Sequence, residues 1–176
     1  MLYDLRPMKS PLNSLAVFGL VLGSALGMLG TMVTRRDLQA ACWAIDGVGL
    51  VVATSLLSLK YFRRGNDVVA AGFLIFAIGE SVMLSGTATT LTGSIPSFGA
   101  GTALWSAALL LTCVPREFAS WVRMAGIVGS VLFAITSARI FWGEQVLPTS
   151  SPLPFFAYPF LVLTFIGWIW TLLKAD

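Results

Sequence analysis

Three ionisable residues interrupt stretches that are otherwise apolar: Asp46 in AIDGVG, Glu80 in IGESV and Arg139 in SARIF. A charge near the centre of a bilayer costs a few kcal/mol, so such a residue is expected to pair, bind a solute or relay a proton. Each lies a few residues from the same end of its own apolar segment. At 1.5 Å rise per residue that puts all three at similar depth. Gly47 and Gly49 beside Asp46, and Gly79 beside Glu80, leave room for other helices, and Thr136 and Ser137 add hydroxyls near Arg139. The expectation is one shared polar layer. Asp46 and Glu80 would bind a solute or a proton there, and Arg139 would neutralise one or both. The competing expectation is a purely structural ion-paired clasp of three helices.

Other chemistry is scarce. The chain has no histidine, which excludes His-ligated haem, His-based zinc sites and imidazole triads. It has no GxSxG, HExxH or P-loop pattern. Ser81 follows Glu80 directly, but helix neighbours point about 100° apart and do not form a base–nucleophile pair. No catalytic residue, cofactor or metal site is expected, and no enzyme. Cys42 and Cys113 fall at opposite ends of their segments, too far apart to be bridged.

The elements that hold these residues follow from composition. Of 176 residues, 57 % are hydrophobic and 11 % charged, and the mean hydropathy is +0.87. A soluble domain of this size carries about a quarter charged residues; 19 charges (11 basic and 8 acidic) cannot cover a water-facing surface. The expectation is an all-α, polytopic membrane protein: one six-helix transmembrane domain over residues 1–176. The spans fall at about 14–33, 41–59, 68–85, 97–114, 124–142 and 155–173, each near the roughly 20 residues a crossing requires. Its partner is the lipid bilayer, and a nucleic-acid binder is excluded. The charge-free run before Arg35 has 25 residues, longer than the roughly 7–15 of a signal peptide core, so it is kept as a span.

Local signals support the boundaries. Asn13 or Ser14, Asp67, Ser97 and Ser120 stand where N-caps belong. Gly65-Asn66-Asp67 predicts a tight turn between spans two and three. Pro159 is expected to kink span six, and Trp121 and Trp142 to anchor span five at the interfaces. Gly19, Gly23 and Gly27 repeat at four-residue spacing in span one, with Gly30 behind them. Such a stripe lets another backbone approach closely, whether in the same bundle, in a partner protein or in a second copy. In span count and in this small-residue first helix the chain resembles the substrate-binding subunits of energy-coupling-factor transporters. No sequence motif extends that likeness.

Orientation comes from the basic residues. Arg6, Lys9, Lys60, Arg63, Arg64, Arg116, Arg123 and Lys174 fall on one side, and Arg35, Arg36 and Arg139 on the other. Eight against three predicts cytoplasmic termini in a bacterial inner membrane, with the polar layer near the outer face. Two functions fit. One is a small-solute or proton site, in binding or transport; the other is a non-catalytic assembly subunit docking through span one. For the topology, a membrane-impermeant thiol reagent added to intact cells should label Thr89→Cys and spare Asn66→Cys. The reverse pattern inverts the orientation.

Overall fold

The computed structural model describes residues 11–174, so Arg6 and Lys9 lie outside the described residues. Among the described residues there are six α-helices: α1 (Pro11–Met32), α2 (Arg36–Arg63), α3 (Asp67–Gly86), α4 (Ile95–Cys113), α5 (Ser120–Phe141) and α6 (Tyr158–Lys174). A 3-10 turn, Phe155–Ala157, leads into α6. With that turn counted into the sixth segment, all six are long and apolar enough to cross a membrane.

The ends depart from expectation for local reasons. α2 outlasts its apolar run at both ends, because Asp37 in the first turn and Lys60 and Arg63 in the last complement the helix dipole. Asn66, not Asp67, caps α3: its side chain accepts the Val69 N–H, and Gly65 supplies the positive φ of 72° in the preceding turn. Ser97 and Ser120 lie inside α4 and α5, which start after Ser94 and Ala119, and α1 begins at Pro11, ahead of Asn13. Pro159 is the second residue of α6, where a missing N–H costs nothing. It starts the helix and does not kink it.

Each helix packs against its neighbours in sequence, and α1 closes on α6, so the six form a ring in chain order. α1 meets α2 along its glycines. A Cβ on Gly19 would collide with the Gly49 carbonyl oxygen and lie 2.9 Å from Ala53 Cβ; Gly23 is covered by Leu50 and Gly30 by the Trp43 indole. The glycine stripe therefore faces α2 of the same chain. α4 and α5 are joined by hydroxyls: Ser130 donates to the Ser106 carbonyl at 2.8 Å and Ser137 to the Gly99 carbonyl at 3.0 Å.

The half of the ring nearer the ends of α2 and α6 is filled with aromatic rings. Tyr61 stacks on Phe73 at 5.4 Å, Phe73 meets Trp168 edge-on at 4.7 Å, and Phe76 stacks on Trp105 at 5.3 Å. Offset and edge-on pairs of this kind contribute about 0.5–1.5 kcal/mol each beyond their burial. Cys42 and Cys113 are free thiols.

Two glycine substitutions should separate packing from helix propensity. Gly19→Ala forces a methyl against rigid backbone and should destabilise by about 1–3 kcal/mol, the usual cost of overpacking. A Cβ on Gly129 meets nothing closer than 3.5 Å, so Gly129→Ala should leave the thermal melt in detergent unchanged or slightly raised. Equal melts for both variants would mean that the α1–α2 seam is looser than described.

Candidate functional site

Asp46 sits on α2 one turn before Leu50 and points into the ring. The chain opposite it is Gly27 of α1, where a Cβ would lie 2.9 Å from Asp46 Oδ2. The stripe that seats α1 on α2 thus also makes the space for this carboxyl. On the next seam a Cβ on Gly47 would be 3.2 Å from Glu80 Oε1, so Glu80 reaches from α3 toward the same part of α2. The two acids are close enough to repel each other when both are charged. Both are buried, Asp46 with 8 % and Glu80 with 5 % of its surface exposed.

They line one cavity of about 110 Å³. Its walls are Leu50, Trp105, Tyr158, Leu161 and Phe165, and its mouth is edged by Thr31, Arg36, Thr87, Thr89 and Ser94, at the end of the ring that carries the α1–α2 and α3–α4 loops. Tyr158 donates its hydroxyl to the Pro148 carbonyl at 2.8 Å, which fixes its ring close to both acids. The Trp105 N–H lies close to the Glu80 carboxyl, short of the geometry of a formed hydrogen bond. Asp46 Oδ1, Glu80 Oε2 and Trp105 Nε1 are all buried with no hydrogen-bond partner. Orphaned polar atoms are rare in native interiors, and three in one cavity mark it out. No group of three metal-ligating side chains occurs among the described residues.

Arg139 is elsewhere. Its Nε donates to Glu144 Oε2 at 2.8 Å, its second guanidinium contact to the same oxygen is 2.6 Å, and both side chains are substantially exposed. The expectation of a shared layer failed for Arg139, whose side chain stands exposed two residues before the end of α5, whereas Asp46 is buried ten residues into α2. α5 packs against α4 and α6, and α2 packs against α1 and α3, so Arg139 also stands at a different position around the ring. Thr136 and Ser137 are also spent elsewhere, on the carbonyls of Leu132 and Gly99.

A local signal for this pair was present in the sequence. Gly143 has φ 93°, and the Gly143 and Glu144 N–H groups bond back to the carbonyls of Ile140 and Arg139. This is a Schellman ending, which folds the residue after the glycine back over the last turn and so presents Glu144 to Arg139. Three other contributors had no comparable signal: Trp105, Tyr158 and Arg36. Arg36 opens α2 and donates to Gln39 Oε1 at 2.8 Å, and Gln39 in turn donates to the Gly30 carbonyl at 3.0 Å, so the guanidinium is held at the rim.

Comparison with known proteins found no matching family model, no matching curated protein and no matching solved structure.

Double-mutant cycles should resolve the two sets of charges. Arg139→Gln combined with Glu144→Gln should be non-additive, while Arg139→Gln combined with Glu80→Gln or Asp46→Asn should be additive. The hydrogen bond from Arg139 holds the Glu144 carboxyl below its ordinary range. A lowered folded-state value means that the coupling is present above the unfolded carboxyl range and is lost as pH falls through the folded value. The Arg139–Glu144 coupling measured by thermal unfolding should therefore vanish on acidification. Coupling of Arg139 to Glu80 instead would move it back into the cavity.

Proposed function

We propose that this chain is a small multi-pass protein of a bacterial inner membrane that takes a small solute, or a proton, at Asp46 and Glu80. Its termini are cytoplasmic and the cavity opens on the outer face. Orientation rests on the charge bias: within the helical part of the chain, Lys60, Arg63, Arg64, Arg116, Arg123 and Lys174 gather at one end of the ring and Arg35, Arg36 and Arg139 at the other.

The observation that carries the function is the pair of unpartnered carboxyls facing an open cavity. A structural clasp would need a base between the acids, and the base expected there, Arg139, is bonded to Glu144. Removing a charged group from water without a partner is costly, and the cost is justified where a ligand or a proton supplies the partner. Asp46 and Glu80 would bind or relay, with Trp105 and Tyr158 as walls. The alternative, an assembly subunit docking through α1, gains no support from the glycine stripe, which is covered by α2.

Water access provides the test. In a background with Cys42→Ser and Cys113→Ser, Leu84→Cys would line the cavity, whereas Ile78→Cys, two turns earlier on the same helix, would face outward from the ring. Thiosulfonates react with the hydrated thiolate. A charged, membrane-impermeant thiosulfonate added outside should modify Leu84→Cys and leave Ile78→Cys intact. If Leu84→Cys is as inert as Ile78→Cys, the cavity is dry and the acids serve packing.

A further inference from the structure

Resting on that open cavity, we infer that its ligand is a small organic ammonium: a protonated amine carrying a compact apolar or aromatic body. The charge of the site points to a cation. Asp46 and Glu80 present two unpartnered carboxylate oxygens, Oδ1 and Oε2. Among the described residues, Arg36 is the one cation lining the cavity. It lies ten residues from Asp46 along α2, roughly 15 Å at 1.5 Å per residue, and is tethered to Gln39. An anion would meet two acids with no base in reach.

The walls distinguish between kinds of cation. A bare metal ion exchanges its hydration shell for several oxygen ligands, and below the rim this cavity offers few: its deep lining is Leu50, Leu161, Phe165 and the Trp105 and Tyr158 rings. An alkylammonium needs only two or three acceptors, and its carbon substituents gain from apolar and aromatic surface. Aromatic faces attract the cationic end as well. Two orphaned acceptors from adjacent helices, set in an aromatic wall, match that chemistry. The hydroxyl-bearing rim of Thr31, Thr87, Thr89 and Ser94 suits an entering hydrated ion, which sheds its water against the carboxylates further in.

The test uses the full chain in lipid nanodiscs with three probes of one shape: benzylammonium, benzyl alcohol and benzoate. Calorimetry should detect benzylammonium binding and neither of the other two. Sodium ion at the same concentration should not compete. Glu80→Gln and Asp46→Asn, each shown to melt like the parent protein without probe, should weaken benzylammonium by about tenfold or more, the loss of a hydrogen bond to a charged group. Benzylammonium should also slow thiosulfonate modification of Leu84→Cys several-fold. Equal binding of benzyl alcohol would overturn the proposal, because the acids would then not select charge; effective competition by sodium would do the same in favour of a metal-ion site. If Leu84→Cys reacts freely and benzylammonium neither binds nor protects, the ligand class is wrong and the open cavity stands. If Leu84→Cys is inert, the cavity itself is wrong, and calorimetry on the unmodified chain should then be silent for every probe.

Discussion

Close approach of α1 to α2 governs how the rest of the ring is arranged. Lipid offers helices no hydrophobic incentive to associate, so contact depends on how near two backbones can come. Gly19 rests on the Gly49 carbonyl, and Gly23 receives the Leu50 side chain. One turn further along, Gly27 lies over the Asp46 carboxyl. An Ala at this third position would press on that carboxyl, where the same change at Gly19 presses on backbone. The stripe therefore has two consequences, tight helix packing at one level and room for a polar group at the next, and it leaves Asp46 directed inward and not toward lipid.

The ring then fills unevenly. Toward the ends of α2 and α6 its centre is occupied by interlocking aromatic rings, with Phe73, Phe76 and Trp168 fully enclosed. Toward the other end the ring encloses a cavity in which Asp46 Oδ1, Glu80 Oε2 and Trp105 Nε1 lack partners. Sequences that are consistent at every level give well-satisfied cores, and departures concentrate at functional positions. Among the described residues, three of the four buried polar side-chain atoms without a partner line this cavity, and the fourth, Trp168 Nε1, lies in the aromatic half. The remaining polar groups are well matched: the buried hydroxyls of Thr54, Thr102, Thr112 and Ser130 all bond to backbone carbonyls.

Much of this was legible from composition and pattern, and the rest depended on geometry that a linear pattern does not encode. Apolar run length gave six spans to within a few residues, because a bilayer sets a minimum length for each. Boundaries shifted where charged residues extended a helix beyond its apolar run, as at Arg36 and Arg63 of α2. Position along the bundle axis was legible only in part: α2 begins ten residues before Asp46, while α5 ends two residues after Arg139. Position around the ring was not. Asp46, Glu80 and Arg139 all lie toward the same end of the ring, but only a knowledge of which helices are neighbours separates the first two from the third. Tyr158 and Trp105 escaped notice for a related reason: aromatic residues are common in spans, and nothing in their spacing reveals that they border a cavity.

The aromatic floor sets how a ligand could move. Its rings come from different elements: Tyr61 from α2, Phe73 and Phe76 from α3, Trp105 from α4, Phe133 from α5, Phe165 and Trp168 from α6, and Phe118 from the α4–α5 connection. Phe76 alone contacts Trp105, Phe165 and Trp168. Rotating any one side chain would leave the others closing the gap, so a continuous path needs helices to separate together, at the loss of several ring pairs worth about 0.5–1.5 kcal/mol each. On the proposed reading, a solute held at Asp46 and Glu80 would enter and leave by the rim. A proton has a smaller requirement, since a transient file of water past the rings would carry it without parting the helices. On the proposed reading, the same two carboxyls would serve as a one-ended binding site for a bulky cation or as a station on a path for a proton, and the packing of the floor, not the acids, would decide between them.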